Sequence, residues 1–259
     1  MMNKIINRQG KALAIQIDGL DHAPVIIFSN SLGTDHHMWD EQVAYFKENY
    51  KVVRYDTRGH GQSDVIENST LANLGEDVLD ILDALNISKA HFCGISMGGI
   101  TGLWLGINVA DRFESITVAN SAAKIGQAEA WLTRADQVEK EGLADLVKTT
   151  HTRWFSESFD YQHDDLAQRT IQSLAATPAQ GYAASCRALA DADVRTDLVE
   201  IRIPTLLICG AKDPVTTLQD GEFMQSKIQG SELQSIEASH LSNIECPVAF
   251  SQILAKFIA

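Results

Sequence analysis

Residues 90–109 read as a buried strand, a tight glycine-bracketed turn and a buried helix, with no spacer between them. Ala90-His91-Phe92-Cys93 is a short apolar strand-like run, and Ile100 to Val109 is apolar nearly all round, as suits a helix packed against a sheet. Between them stands Gly94-Ile95-Ser96-Met97-Gly98-Gly99. A direct strand-to-helix reversal is so tight that its apical residue takes a strained backbone conformation and its neighbours two positions away must be small. Gly94 and Gly98 supply that condition, and Gly99 adds room. Ser96 then lies at a helix N-terminus, where unpaired N–H groups and the helix dipole favour developing negative charge. Ser96 is therefore expected to be a nucleophile. The rival reading is a turn that merely binds phosphate, and the flanking strand and helix argue against it. A serine rather than a carboxylate at the apex also disfavours chemistry through an ester to aspartate.

The surrounding chain repeats the strand–helix alternation. Ala12–Ile17, Val25–Phe28, Val52–Tyr55, Ser115–Val118 and Thr205–Cys209 read as further strands, several of them β-branched runs of the kind buried on both faces. Leu74, Val78, Ile81, Leu82 and Leu85 share one face of a helix over 71–85, and Pro247 opens a terminal helix reaching Ile258. This order implies a mostly parallel central sheet flanked by helices, an α/β architecture. The alternation stops after Ser121 and resumes near Ile203. Between them lie only helical stretches, at 128–140, 143–152, 165–174 and 180–190. The expected organisation is a core of residues 1–123 and 194–259 with a helical lid, 124–193, inserted over the strand ends. Together with the serine turn, this is the pattern of the α/β-hydrolase fold.

At 259 residues with 45% hydrophobic side chains, the chain can bury a large core without disulfides. Cys93, Cys186, Cys209 and Cys246 are widely spaced, and Cys93 and Cys209 sit in apolar runs, so they read as reduced structural residues. Met1-Met2-Asn3-Lys4 leads into Ile5-Ile6 but breaks at Asn7 and Arg8, so no targeting segment is expected. No run approaches the roughly 20 apolar residues of a membrane span. The expectation is a soluble, cytoplasmic protein. A net charge of −13 argues against nucleic acid and anionic membranes as partners, and any anionic ligand must meet a local positive pocket.

A serine nucleophile needs a base, and the base an orienting carboxylate. On this fold they follow the serine in the order acid, then histidine. His240, in Ala238-Ser239-His240-Leu241-Ser242-Asn243, follows a short strand at 233–236 and is the only histidine after His163. Asp213, in Gly210-Ala211-Lys212-Asp213-Pro214-Val215, comes directly after the strand ending at Cys209, at the carboxyl edge of the sheet. Asp191, Asp193 and Glu237 are weaker competitors. For the oxyanion, one backbone donor is expected at Met97 and the other, by position, at Leu32 in Ser29-Asn30-Ser31-Leu32-Gly33. Many relatives carry His-Gly where this chain has Asn30-Ser31. His60, in Asp56-Thr57-Arg58-Gly59-His60-Gly61, precedes the serine and is read as structural, with Arg58 tying loops together.

Ser29-Asn30-Ser31-Leu32-Gly33-Thr34-Asp35, Gly94-Ile95-Ser96-Met97-Gly98-Gly99, and Cys186-Arg187-Ala188-Leu189-Ala190-Asp191-Ala192-Asp193 together resemble the 3-oxoadipate enol-lactonase family. Asp213-Pro214-Val215-Thr216-Thr217 and Ser239-His240-Leu241-Ser242-Asn243 extend the resemblance over nearly the whole chain. The resemblance implies opening of the enol-lactone to 3-oxoadipate, a step of the β-ketoadipate pathway of aromatic-acid breakdown, on a small-molecule lactone and with no metal or organic cofactor. Arg134, Arg153 and Arg187, all in the lid segment, are candidates for the substrate carboxylate, and Trp131 and Trp154 for pocket walls. Another esterase or lactonase of the same fold, a non-catalytic ligand receptor and perhydrolase side activity remain as alternatives.

Overall fold

The structure is a computed structural model that describes residues 3–259. Met1 and Met2 of the N-terminal stretch considered above lie outside the described residues. Strands β1 (Asn3–Ile6), β2 (Ala12–Gly19), β3 (Val25–Ser29), β4 (Lys51–Tyr55), β5 (Ala90–Ile95), β6 (Phe113–Ala119), β7 (Thr205–Gly210) and β8 (Glu232–Ile236) form one sheet in the order β1-β2-β4-β3-β5-β6-β7-β8. β1 pairs antiparallel with β2, and β2 with β4; from β4 onward every pairing is parallel. The chain is an α/β-hydrolase fold. Ile26, Ile27, Phe28, Val52, Val53, Leu207 and Ile208 are completely buried, because each parallel strand has helices on both sides.

The helices are α1 (Asp40–Phe46), α2 (Leu71–Ala84), α3 (Met97–Asn108), α4 (Ala128–Glu141), α5 (Ala144–Trp154), α6 (Asp165–Ala176), α7 (Ala179–Asp191), α8 (Leu218–Lys227), α9 (Ser242–Glu245) and α10 (Pro247–Ile258). α2 starts at Thr70, whose hydroxyl accepts from Asn73 N–H, and it buries Leu74, Val78, Ile81 and Leu82 as its spacing demands. α3 packs against β5, β6 and α2. α4 to α7 follow β6 and precede β7, with α4 packed on α7 and α5 on α6.

The strand order fixes where a ligand can sit. From β3 the chain turns to one side to form β4, then crosses to the other side of β3 to form β5. Loops leaving the carboxyl ends of β3 and β5 therefore diverge and leave a crevice, the place where open parallel sheets bind ligands. The β3 exit carries Ser29–Gly33 and the β5 exit carries Ser96.

Four elements have no counterpart in the sequence reading, among them α9, a single turn of four residues. β1 is an edge strand that buries only Ile5, so it shows no alternation. α8 buries only Gly221 and Met224, too few side chains for a visible apolar face. α1 is a seven-residue helix, under two turns of periodicity. Arg58 is buried as a two-point ion pair with Asp77 (2.6 and 2.7 Å) and also donates to Gln9 Oε1 and Asn73 O, so it joins three segments as expected. All four cysteines are free: Cys93, Cys186 and Cys209 are buried and Cys246 is half-buried. Among the described residues no helix is long and apolar enough to cross a membrane.

Candidate active site

Ser96 joins β5 to α3 with φ 56° and ψ −114°, the strained left-hand geometry expected of the turn. The glycine requirement is literal. A Cβ on Gly94 would lie 2.1 Å from the Gly98 carbonyl oxygen, and one on Gly98 would lie 2.3 Å from that of Ser29. Two further contacts brace the apex: Ser96 N–H donates to Ala119 O (2.9 Å), and the Ser121 hydroxyl donates to Ser96 O (2.7 Å).

The structure brings the three side chains expected of a triad together, although 144 residues separate Ser96 from His240. His240 Nε2 lies 2.9 Å from Ser96 Oγ, and His240 Nδ1 lies 2.8 Å from Asp213 Oδ2. All three are buried. Asp213 also accepts from Val215 N–H (2.7 Å), Thr216 N–H (3.1 Å), the Thr216 hydroxyl (2.8 Å) and Asn120 Nδ2 (3.0 Å). Burial pushes its carboxyl up. The His240 charge and hydrogen bond, the Asn120 amide and the Val215 N–H together outweigh burial and hold it below the ordinary carboxylate range. The carboxylate is thus ionised and fixes the imidazole with Nδ1 protonated, so Nε2 is free to accept the serine proton. Asp191 and Glu237 are exposed and Asp193 pairs with Arg195, so Asp213 rather than any of the three rivals meets the histidine.

Leu32 sits on the β3 exit loop and lines the same cavity as Ser96, while Met97 opens α3 directly behind the serine. Among the described residues neither backbone N–H has a hydrogen-bond partner, whereas the adjacent Gly98 N–H is taken by Asn30 O (3.0 Å) and Gly33 N–H by His60 Nε2 (3.0 Å). Asn30 anchors this loop: its amide donates to Tyr55 O and its carbonyl accepts from Trp39 Nε1, which locks the loop to β4.

His60 is structural, as expected, but its role lies close to the chemistry. Its Nδ1–H donates to Arg58 O (3.1 Å), leaving Nε2 as the acceptor for Gly33. Burial lowers its pKa below the ordinary histidine value against the pull of Arg58 O, Asp56 and Asp35. As pH falls below about 6.5, an unfolded chain takes up a proton that folded His60 refuses, so this histidine's contribution to stability is lost with acidification. Replacing it, His60→Phe, leaves two buried backbone groups unpaired and is expected to cost about 2 kcal/mol or more. Melting temperatures measured between pH 5 and 7 check both points: the variant melts lower and has a flatter pH dependence.

Ser96 and His240 open onto a cavity of about 250 Å³ between the sheet edge and helices α4, α5 and α7. Trp131 and Trp154 wall it, as expected, with Tyr182 and Leu189. Trp131 is held by its indole N–H donating to Ile125 O (2.6 Å). The three candidate arginines separate. Arg187 is pinned outside by Glu139 (2.7 Å) and Asp136 (3.2 Å). Arg134 and Arg153 line the cavity, and Arg134 lies 4.8 Å over the Trp131 ring. Burial, then repulsion from Arg134, lowers the Arg153 pKa against a pull from Tyr182, and among the described residues no carboxylate pairs with it. Position along a helix could not tell these arginines apart. Among the described residues no group of three or more histidine, cysteine or acidic side chains could hold a metal ion.

A strained serine at the end of β5, a His–Asp pair delivered by β7 and β8, and a cavity under inserted helices define a hydrolase of one architecture. The model of the alpha/beta hydrolase fold family matches residues 24–247, and the chain belongs to that family. Within it, the chain groups with the 3-oxoadipate enol-lactonases. It is 69% identical to 3-oxoadipate enol-lactonase 1 of Acinetobacter baylyi, over 98% of this chain and 96% of that protein. It is 48% identical to 3-oxoadipate enol-lactonase 2 of the same organism, over 95% and 92% of the respective lengths. The crystal structure of the enol-lactonase from Burkholderia xenovorans LB400 superposes with a TM-score of 0.96, at 38% identity and 99% coverage of each chain.

Proposed function

We propose that this protein hydrolyses the enol-lactone of 3-oxoadipate to 3-oxoadipate through an acyl-enzyme on Ser96. One observation carries the substrate class beyond the resemblance: a single small cavity holds the serine–histidine pair together with two arginines that have no acidic partner among the described residues. The lactone bears a free carboxylate, and on a protein of charge −13 an anion needs such a local positive site.

The reaction follows from the geometry. Ser96 Oγ attacks the lactone carbonyl carbon while His240 Nε2 takes its proton, and Asp213 stabilises the resulting imidazolium. The oxyanion points at the N–H groups of Met97 and Leu32, each such donor being worth about 3–4 kcal/mol of barrier. Collapse breaks the ring C–O bond, and the enolate oxygen leaves with the His240 proton as an enol that rearranges to the ketone. His240 then takes a proton from water, whose oxygen attacks the acyl-Ser96 ester, and as the adduct collapses it returns that proton to Ser96 Oγ and the second carboxylate is released. Each step uses groups of the chain and water alone. Residues 124–193 act as the lid that carries the arginines and aromatic walls and shields the acyl-enzyme.

Turnover of the enol-lactone against a panel of neutral lactones and aryl esters tests this reading. The expected result is rapid opening of the enol-lactone without added cofactor. Turnover of aryl esters alone would instead assign the protein to another esterase of the fold. For Arg153→Leu, we expect KM for the anionic lactone to rise about tenfold or more, the scale of one lost charge-assisted hydrogen bond. The rate on a neutral ester stays near the wild-type value. Equal effects on both substrates would remove Arg153 from carboxylate recognition.

A further inference from the structure

Asn120 directly follows β6 in the interior and belongs to none of the motifs above. It is completely buried and has φ 42°, the left-handed region that asparagine tolerates better than most residues. Its backbone N–H and both side-chain polar atoms are engaged. The backbone N–H donates to Ile208 O (2.7 Å), on the strand that leads to Asp213. The side-chain amide donates to Asp213 Oδ2 (3.0 Å) and to Ser239 O (3.1 Å), and the amide oxygen accepts from the Ser242 hydroxyl (2.5 Å). One amide thus grips the acid and both flanks of the loop that carries His240. Room for it depends on Gly210, where a Cβ would stand 2.7 Å from Asn120 Nδ2 and 2.4 Å from Ser239 O.

We propose that Asn120 is a positioning residue of the reaction: its amide holds Asp213 and the His240 loop in one fixed arrangement. The proposal rests on Ser96, His240 and Asp213 being the triad. Three donors converge on Asp213 Oδ2: Asn120, the Thr216 hydroxyl and His240. Asn120 keeps the carboxylate ionised and limits the basicity it lends to the imidazole. Without that donor, the acid–histidine pair takes up its proton at higher pH, and the pair titrates as a unit. The other charged or titratable groups around the pair are the Cys209 thiol on β7, Arg134, Arg153 and Tyr182 across the cavity, and Glu245, which accepts from Ser239 N–H (2.9 Å). An asparagine substitution changes the charge of none of them.

The test is the pH dependence of kcat/KM for the intact protein and for Asn120→Gly, Asn120→Asp and Asp213→Asn. Glycine accepts the left-handed backbone, so Asn120→Gly removes the amide without backbone strain. Aspartate nearly matches asparagine in shape, so Asn120→Asp keeps the site filled if the glycine variant folds poorly. The expected outcome is an acid limb moved to higher pH, by about one unit or more in Asn120→Asp, where a carboxylate replaces the donor, and by less in Asn120→Gly. In Asn120→Gly, kcat falls about tenfold or more while KM changes little, as for a lost orienting contact. Acid limbs that superimpose on the wild-type curve in both variants would overturn the proposal, whatever their melting temperatures. Near-normal activity in Asp213→Asn would instead remove the triad assignment beneath it.

Discussion

Turnover of the lactone by Ser96→Ala is expected to fall about 10⁶-fold, the scale on which loss of a serine nucleophile is felt in enzymes that work through an acyl intermediate. The fold is expected to survive. Alanine removes only the hydroxyl, whose one partner among the described residues is His240 Nε2 (2.9 Å), and the backbone braces from Ala119 and Ser121 do not involve it. The strain at φ 56° stays, since alanine meets the same Cβ conflict as serine. Ser96→Gly is also inactive but relieves that strain, and it should melt above Ser96→Ala, because a residue held in such a conformation costs on the order of 1–3 kcal/mol. Single-turnover kinetics with thermal unfolding of both variants check these points. Residual turnover within about a hundredfold of wild type would sink the covalent mechanism.

Asp213→Asn is expected to lower kcat by about 10⁴-fold, and the structure gives the reason. Val215 and Thr216 N–H both point at Oδ1 (2.7 and 3.1 Å), so an asparagine at this position keeps its oxygen there. Its NH2 group then takes the place of Oδ2, facing His240 Nδ1, Asn120 Nδ2 and the Thr216 hydroxyl. A donor opposite Nδ1 forces the imidazole into the other tautomer. Nε2 then carries the proton and faces Ser96 as a donor, where it cannot accept the serine proton. Steady-state rates measured with melting temperatures separate this effect from unfolding. A near-normal rate would move the acid elsewhere.

Much of the fold is legible in the sequence because its strands are short apolar runs and its main helices have one apolar face. β3 to β7, α2 and α10 stand where those patterns place them. Elements that bury few side chains, β1, α1 and α8, carry no such pattern and emerge only in the folded sheet. The serine could be found for the same local reason. A strand, a turn bracketed by glycines and a helix are consecutive in the chain, so the backbone geometry that selects a nucleophile is written in adjacent residues. His240 and Asp213 needed only their order and their position after strands.

The surroundings of that serine are a different matter. Arg134, Arg153 and Arg187 all lie in the segment of helices α4 to α7 and look alike in sequence, yet two line the cavity and the third is held outside by Asp136 and Glu139. Asn120 lies 93 residues from Asp213 and reaches it because β6 and β7 pair in parallel with Ala119 opposite Ile208. Helical periodicity says which side of a helix is buried but not what it will face, and strand alternation leaves the register open. The sequence by itself therefore determined the strained serine turn and the chain order of the acid and histidine that the fold brings to it. The groups that surround the reacting atoms were decided by sheet register and helix packing, because those contacts join residues that no local pattern connects.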